Sequence, residues 1–201
     1  MNRSSYWQEK LRPFLPDVPH TKDFVRFGLS WTREDLALAK DHILGFTLAG
    51  SVLTPRLVRW LLYRLSGFDI DTPNIGDHCV FRVRKLAVMS GSLIGPYAFF
   101  NGLGSIEIGR ETMIGPRSVI LTSHHLIHQD GSFSEAPTER SVSIGSRVWV
   151  GADCTFAPGA VVENDCIIGA GALVTGRCER GGFYAGVPAR RVSDREALHR
   201  P

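Results

Sequence analysis

This chain of 201 residues has few of the features that are typical of secreted, membrane-spanning or nucleic-acid-binding proteins. It has four cysteines, Cys79, Cys154, Cys166 and Cys178, and no two of them form a CxxC pair. So few thiols, without the spacing of metal ligands, argue against a disulfide framework. They favour small buried thiols in a reducing compartment.

Charge imbalance and long apolar runs are scarce as well. The net charge is +3 and the basic residues form no stripe, so we expect no nucleic-acid partner. The apolar run from Ile43 to Leu53 is too short to span a bilayer, and residues 1–20 lack the apolar core of a secretion signal. These absences predict a soluble, cytoplasmic protein.

What the chain does have is a strict period of six between Val142 and Val174. A large apolar residue stands at every sixth position: Ile144, Val150, Phe156, Val162, Ile168 and Val174. Two residues before each of these stands one no larger than valine: Val142, Val148, Cys154, Ala160, Cys166 and Ala172.

This period fits neither a helix nor a long strand, and it is the hexapeptide period of a parallel β-helix. Each six residues supply one short strand and a corner, and three sixes close a triangular coil. Residues eighteen apart should therefore stack, as Ile144 under Val162. The large and small residues of the period, Cys154 and Cys166 included, should face the interior.

The repeat is interrupted once. Ile108, Ile114 and Ile120 keep the spacing of six, and Ile-Gly pairs begin at Ile75, but residues 123–141 are polar and non-repetitive. We expect a loop that protrudes from the coils, and long ordered loops are often functional. The predicted domains are a helical segment (1–70), the β-helix (71–192) with its loop (123–141), and a tail (193–201). The pattern predicts that the chain leaves the repeat from Arg177 onward.

Two helices are predicted before the coils, the first beginning near Thr32. In the second, from Arg56 to Ser66, apolar residues recur at helical spacing: Leu57, Trp60, Leu61 and Leu65. We expect this helix to cap the open end of the β-helix. Attachment of a basic amphipathic helix to a membrane surface is the alternative, and we expect no membrane contact.

The interrupting loop begins with a cluster of histidines, His124, His125 and His128. Imidazole titrates near neutrality and is suited to take a proton from an attacking alcohol or amine. Solvated loop histidines and metal ligation are the alternatives, but the sequence offers no matching carboxylate or cysteine set, so we expect no metal.

At this point the chain resembles the hexapeptide-repeat, left-handed β-helix acyltransferases. The similarity runs from about Ile75 to Val192 and is greatest for the galactoside, maltose, nodulation and surface-polysaccharide O-acetyltransferases. It rests on SIGSRVWVGADCTFAPGAVVENDCIIGAGALVTG, on YAGVPARRV, and on LTSHH at Leu121 to His125. The resemblance implies a left-handed parallel β-helix and acetyl-CoA as acyl donor.

Site residues follow from the same resemblance. It implies His124 as the catalytic base, with His125 as the alternative because some members place the histidine one step later. Asn101 lies near the family asparagine that holds the acceptor. The residues expected to contact coenzyme A are Trp149, Ala152, Ala170, Thr175, Arg190 and Arg191. A basic residue of the family is replaced here by Ser193, for which Arg191 or Arg195 is the substitute.

The function implied is O-acetyltransfer to a sugar or glycoside hydroxyl, by direct attack on the thioester. The family is trimeric, with each site between two subunits, so a homotrimer is expected. An N-acetyltransferase for an amino sugar or an antibiotic-type acceptor is one alternative. A zinc-dependent γ-type carbonic anhydrase and a catalytically silent scaffold are others, since fold does not fix function.

Overall fold

Strands of the chain build a three-sided prism in the structure, a computed structural model that describes residues 42–196. Face I contains β3 (Leu93–Ile94), β5 (Met113–Ile114), β10 (Trp149–Val150), β13 (Ile167–Ile168), β16 (Gly182–Ala185) and β17 (Arg190–Asp194). Face II contains the first halves of β2 (Val80–Val88) and β4 (Phe99–Ile108), followed by β6 (Val119–Leu121), β11 (Thr155–Phe156) and β14 (Leu173–Val174). Face III contains β1 (Asp69–Ile70), the second halves of β2 and β4, β9 (Val142–Ile144), β12 (Val161–Val162) and β15 (Arg177–Cys178).

Neighbouring strands within each face are parallel, apart from β17, and their register follows the period. Val162 pairs with Ile144 on one side and with Cys178 on the other. Trp149 pairs with Met113 and Ile167. The pairs Ile144–Val162 and Trp149–Ile167 confirm the stacking of residues eighteen apart, and with it the parallel β-helix.

The interior of the prism is filled by the residues that the period selects. All six large residues and all six small partners between Val142 and Val174 are at most 2% exposed. Cys154 and Cys166 are fully buried free thiols, as predicted. Corners are equally tight: a Cβ on Gly151 would lie 2.6 Å from the backbone nitrogen of Ala170, so glycine is required there.

The end of the repeat was predicted wrongly. The chain does not leave the coils at Arg177, because β15 and β16 still pair in parallel with the preceding coil. β17 then folds back antiparallel on β16 and covers the edge of face I. The sequence pattern failed here because the spacing shortens: Cys178 stands four residues after Val174 instead of six, so Cys178 and Tyr184 pair with residues sixteen positions earlier.

The helix that caps the other end is α1 (Arg56–Leu65), preceded by a π-helical turn (His42–Leu48). Capping is observed, but the wrong face was predicted to be buried. Tyr63 and Arg59 pack inward at 1% and 5% exposure, whereas Leu57, Leu61 and Leu65 are half or more exposed.

Arg59 explains this inversion. Its guanidinium donates hydrogen bonds to the carbonyl oxygens of Ala49 and Ile75 at 2.7 and 2.8 Å, and to those of Ser51 and Thr54. One buried arginine thus satisfies four backbone acceptors at the end of the prism, which leucine cannot do.

Two expectations about the ends of the chain are not tested by these residues. The helix predicted near Thr32 lies outside residues 42–196, and the domain boundaries at residues 70 and 192 stay a prediction. Among residues 42–196, neither helical segment is long and apolar enough to cross a membrane.

Candidate active site

A short hairpin protrudes from the corner between faces II and III. Its strands are β7 (Ser123–His124) and β8 (Thr138–Glu139), and His124 lies opposite Thr138. The base of the hairpin is tied to the coil below, because the Ser123 hydroxyl accepts from the Leu103 N–H at 2.7 Å. The predicted loop is therefore present, and its first residues are held by the prism.

The three histidines of this hairpin have different surroundings. His124 is half-buried, and its Nδ1 is buried without a hydrogen-bond partner in the described residues. His125 is exposed, and its Nδ1 donates to the carbonyl oxygen of Ser134 at 2.7 Å. His128 is exposed further along the loop. Buried polar atoms without partners are rare, and a catalytic role is one explanation for them.

Asn101 lies beside the base of the hairpin. It pairs with Leu121 across face II, and its carbonyl oxygen accepts from the Thr122 N–H at 2.9 Å. Gly102 follows with φ +131°, and a Cβ there would lie 2.4 Å from the Thr122 hydroxyl, so this approach requires glycine. The structure thus brings Asn101, His124 and His125 to one corner.

The residues expected to contact coenzyme A lie elsewhere on the prism. Trp149 is half exposed on face I, while Ala152 and Ala170 stand one coil apart at the corner between faces I and II. Neither alanine N–H donates a hydrogen bond within residues 42–196, so both remain available as donors. Face II separates this wall from His124 of the same chain. Thr175 is exposed at the corner that carries the hairpin, further along the axis.

The two candidate phosphate ligands on β17 differ in their partners. Arg191 is paired with Asp194 at 2.6 Å and lies 3.8 Å from a Glu179 carboxylate oxygen. The Asp194 carboxylate raises the pKa of Arg191 further above its ordinary value. Arg190 is exposed and makes no carboxylate contact within the described residues; one of its N–H groups donates to the Ala189 carbonyl. Arg195 reaches the carbonyl oxygen of Arg147. Arg190 therefore has the guanidinium that is free to bind an anion.

One group of polar residues, at the corner of the prism that carries Ala152, was not predicted from the sequence. The His78 ring stacks on Tyr97 with centroids 4.8 Å apart and planes 9° apart. The His78 Nδ1 lies 2.7 Å from the Asp77 carboxylate, and this hydrogen bond lowers the pKa of Asp77. Each of these residues lies one or two positions after a corner glycine, which is the signal that would have found them.

Metal ligation finds no support in the same part of the chain. Across residues 42–196, no three histidine, cysteine, aspartate or glutamate side chains come together in a way that could hold a metal ion.

The similarity of this chain to known proteins lies in the sequence of its coils. Residues 141–176 match the family model described as bacterial transferase hexapeptide (six repeats). This stretch of the chain is similar to hexapeptide-repeat transferases. The prism, the strand register and the residues of the period in this stretch agree with that similarity.

Curated relatives of this chain include two proteins from Escherichia coli strain K12. A putative lipopolysaccharide biosynthesis O-acetyl transferase, WbbJ, is 32% identical over 113 residues, covering 49% of this chain and 55% of WbbJ. A galactoside O-acetyltransferase is 27% identical over 95 residues, covering 46% of this chain and 47% of the enzyme. The chain thus spans about half the length of the curated relatives it matches.

A solved structure has a similar fold to this chain. A hexapeptide-repeat acetyltransferase of Vibrio cholerae O1 biovar eltor, crystallised with acetyl coenzyme A, matches with a TM-score of 0.66. The match has 17% sequence identity and covers 80% of this chain and 87% of the other. At this identity the likeness speaks for the fold alone.

Proposed function

We propose that this protein is an acetyl-CoA-dependent O-acetyltransferase that acts on a hydroxyl group of a sugar or glycoside. The observation that carries the proposal is the hairpin corner, where His124 presents a buried, unpartnered ring nitrogen beside Asn101. The relatives support it, since two are named O-acetyltransferases and a structure of the same fold was crystallised with acetyl coenzyme A.

The reaction needs few groups. The hydroxyl oxygen of the acceptor forms a bond to the acetyl carbon, and the carbon–sulfur bond of the thioester breaks. His124 takes the hydroxyl proton as this happens, and the proton then passes to the departing thiolate of coenzyme A. The mechanism needs no acyl-enzyme, and the thiols of Cys154 and Cys166 are buried inside the prism.

Assembly of the site requires a second chain. Trp149, Ala152 and Ala170 line one edge of the prism, and His124 stands at another, with face II between them. In a homotrimer, the coenzyme wall of one subunit faces the hairpin corner of its neighbour. The thioester bound to one chain then lies next to His124 of another chain. This arrangement explains why the residues of the site are divided between two edges of the prism.

The second candidate function is N-acetyltransfer to an amino sugar. Its support is that a general base beside a thioester serves an amine as well as an alcohol. The acceptor panel below separates the two.

The test is release of free thiol from acetyl-CoA by the purified protein, with panels of sugars, glycosides, nucleotide sugars and amino sugars. Acetylated product is then identified by mass spectrometry. We expect thiol release with at least one hydroxyl acceptor and its loss in His124→Ala. Activity restricted to amino sugars would replace the proposal by N-acetyltransfer. Absence of coenzyme A binding by calorimetry would refute both and leave a silent scaffold.

A further inference from the structure

The surface at the α1 end of the prism is apolar in an unusual way. Five large aliphatic side chains that face solvent there, Val52, Leu53, Leu57, Leu61 and Leu65, are between 50% and 88% exposed. Leu57, Leu61 and Leu65 follow one another at four-residue spacing and share one side of α1. We call these five residues the leucine face.

Arg59 holds the two parts of the leucine face together. Its guanidinium donates to the carbonyl oxygens of Ser51 and Thr54, which flank Val52 and Leu53. The turn before α1 is thereby fixed against the helix, so the five side chains belong to one rigid surface. A large exposed apolar patch of this kind marks a contact with a partner or a membrane.

Cations predominate around the leucine face. Residues 42–68 contain three arginines and no aspartate or glutamate. Of these arginines, Arg59 is buried and Arg64 contacts Asp69 and Asp71, which leaves Arg56 exposed without an ion pair in the described residues. The first coil, on which α1 packs, adds three exposed cations that also lack ion pairs in this part of the chain: Arg82, Arg84 and Lys85.

Three arginines on later coils are neutralised by carboxylates. Arg117 pairs with Asp153 and Arg147 with Asp165, and Arg177 pairs with Glu163. Arg56, Arg82, Arg84 and Lys85 at the α1 end have no such carboxylate partner in the described residues. An apolar helix side bordered by free cations is the composition of a helix that lies in the interface of an anionic bilayer.

We infer that the α1 end of the prism is a docking surface for an anionic lipid membrane, with the leucine face inserted among the acyl chains and Arg56, Arg82, Arg84 and Lys85 at the headgroups. This reverses the absence of membrane contact expected from the sequence. The sequence pattern assigned Leu57, Leu61 and Leu65 to the core, and the structure shows that Tyr63 and Arg59 occupy that place.

The test is co-sedimentation of the full chain with vesicles of phosphatidylglycerol and phosphatidylcholine in equal parts, against vesicles of phosphatidylcholine alone. The leucine variant is Leu57→Ser with Leu61→Ser. The control variant is Met89→Ser with Val192→Ser, which removes two exposed apolar side chains, 41% and 58% exposed, away from the leucine face. Unfolding temperatures establish that both variants keep the fold.

We expect the wild type and the control to bind the anionic vesicles, and the leucine variant to lose roughly tenfold or more in its partition coefficient. High salt should weaken binding, because screening acts on the four cations. No binding by the wild type, equal binding by the leucine variant, or equal binding to neutral vesicles would each overturn the inference. One further result would overturn the inference: the wild type does not bind vesicles, and light scattering gives the leucine variant a smaller mass than the wild type and the control. The leucine face would then lie between copies of the chain.

Discussion

His125 donates a hydrogen bond from Nδ1 to the carbonyl oxygen of Ser134, 2.7 Å across the hairpin. A carbonyl can only accept, so the proton is on Nδ1, and in the neutral ring Nε2 is left as an acceptor. His124, the neighbouring residue, has no such bond at its Nδ1 and is fixed instead by strand pairing and partial burial. The two histidines are therefore held by different means, and substitutions can separate their roles.

Replacing His124 by alanine should lower kcat by roughly 10²–10⁴, the typical contribution of a positioned general base. The KM for acetyl-CoA should hardly change, because the ring meets the reacting atoms and not the distant part of the coenzyme. Steady-state kinetics with the best acceptor measure both. His128→Ala, on the exposed part of the loop, is the control and should be mild, with His125→Ala intermediate.

The opposite result has a definite meaning. Full turnover in His124→Ala together with loss in His125→Ala would move the base by one residue, to the histidine that Ser134 orients. Normal turnover in all three variants would refute base catalysis by this hairpin.

Mixing two inactive variants should restore activity if the site is shared between chains. His124→Ala removes the base, and Trp149→Ala removes part of the coenzyme wall on another edge of the prism. After joint unfolding and refolding of equal amounts, random assembly leaves about one site in four with both groups intact. The specific activity of the mixture should approach that fraction of wild type, with a trimer mass by light scattering. A mixture as inactive as its parents, or a fully active monomer, would contradict the shared site.

Arg190 should act on the donor through its phosphate. Arg190→Ala is expected to raise the KM for acetyl-CoA by roughly tenfold or more, since charge-assisted hydrogen bonds to phosphate are among the stronger polar contacts. It should barely affect a donor that lacks the 3′-phosphate. Arg191→Ala is the matched control, because Asp194 already engages that guanidinium. Equal losses with both donors would make Arg190 structural.

Arg59 should be a major contributor to stability. Arg59→Ala leaves the buried carbonyl groups of Ala49 and Ile75 without donors, and the free energy of unfolding should fall by roughly 3 kcal/mol or more. Arg56→Ala, exposed on the same helix, should stay within about 0.5 kcal/mol of wild type. Urea unfolding monitored by circular dichroism compares the two. Similar midpoints would mean that α1 is held mainly by Tyr63.

The four cysteines should resist alkylation in the native protein. Burial raises the pKa of the Cys79 and Cys178 thiols from 9.0 to about 12, and burial also raises the pKa values of Cys154 and Cys166. A bulky maleimide at pH 8 should label none of them until denaturant is added, as mass spectrometry can follow. Rapid labelling of Cys154 or Cys166 would contradict the inward register of the coils.

The same shifts give a pH dependence of stability. Above pH 9.0 the unfolded chain releases thiol protons that native Cys79 and Cys178 keep until about pH 12. The unfolded state then binds fewer protons, so the free energy of unfolding should decline over that window. Replacing both by alanine should flatten the decline, whereas an unchanged slope would assign it to other groups.

The sequence by itself determined the coils. A period of six fixes which side chains can share an interior, because strand length, corner and side-chain size repeat together along the chain. The inward residues from Val142 to Val174, the protruding loop and its histidines all follow from that local pattern. Asn101 and His124 were named from the family resemblance and not from the period, and the structure finds them at one corner.

Only the tertiary structure decided what depends on neighbours distant in the chain. The buried side of α1 is set by four carbonyl groups that converge on Arg59, and no spacing of leucines can report them. The choice of Arg190 over Arg191 depends on Asp194 and Glu179, and the separation of Trp149 from His124 depends on closure of the prism. The partners in hydrogen bonds and ion pairs depend on which residues the fold brings together. The repeat depends only on the order of large and small side chains along the sequence.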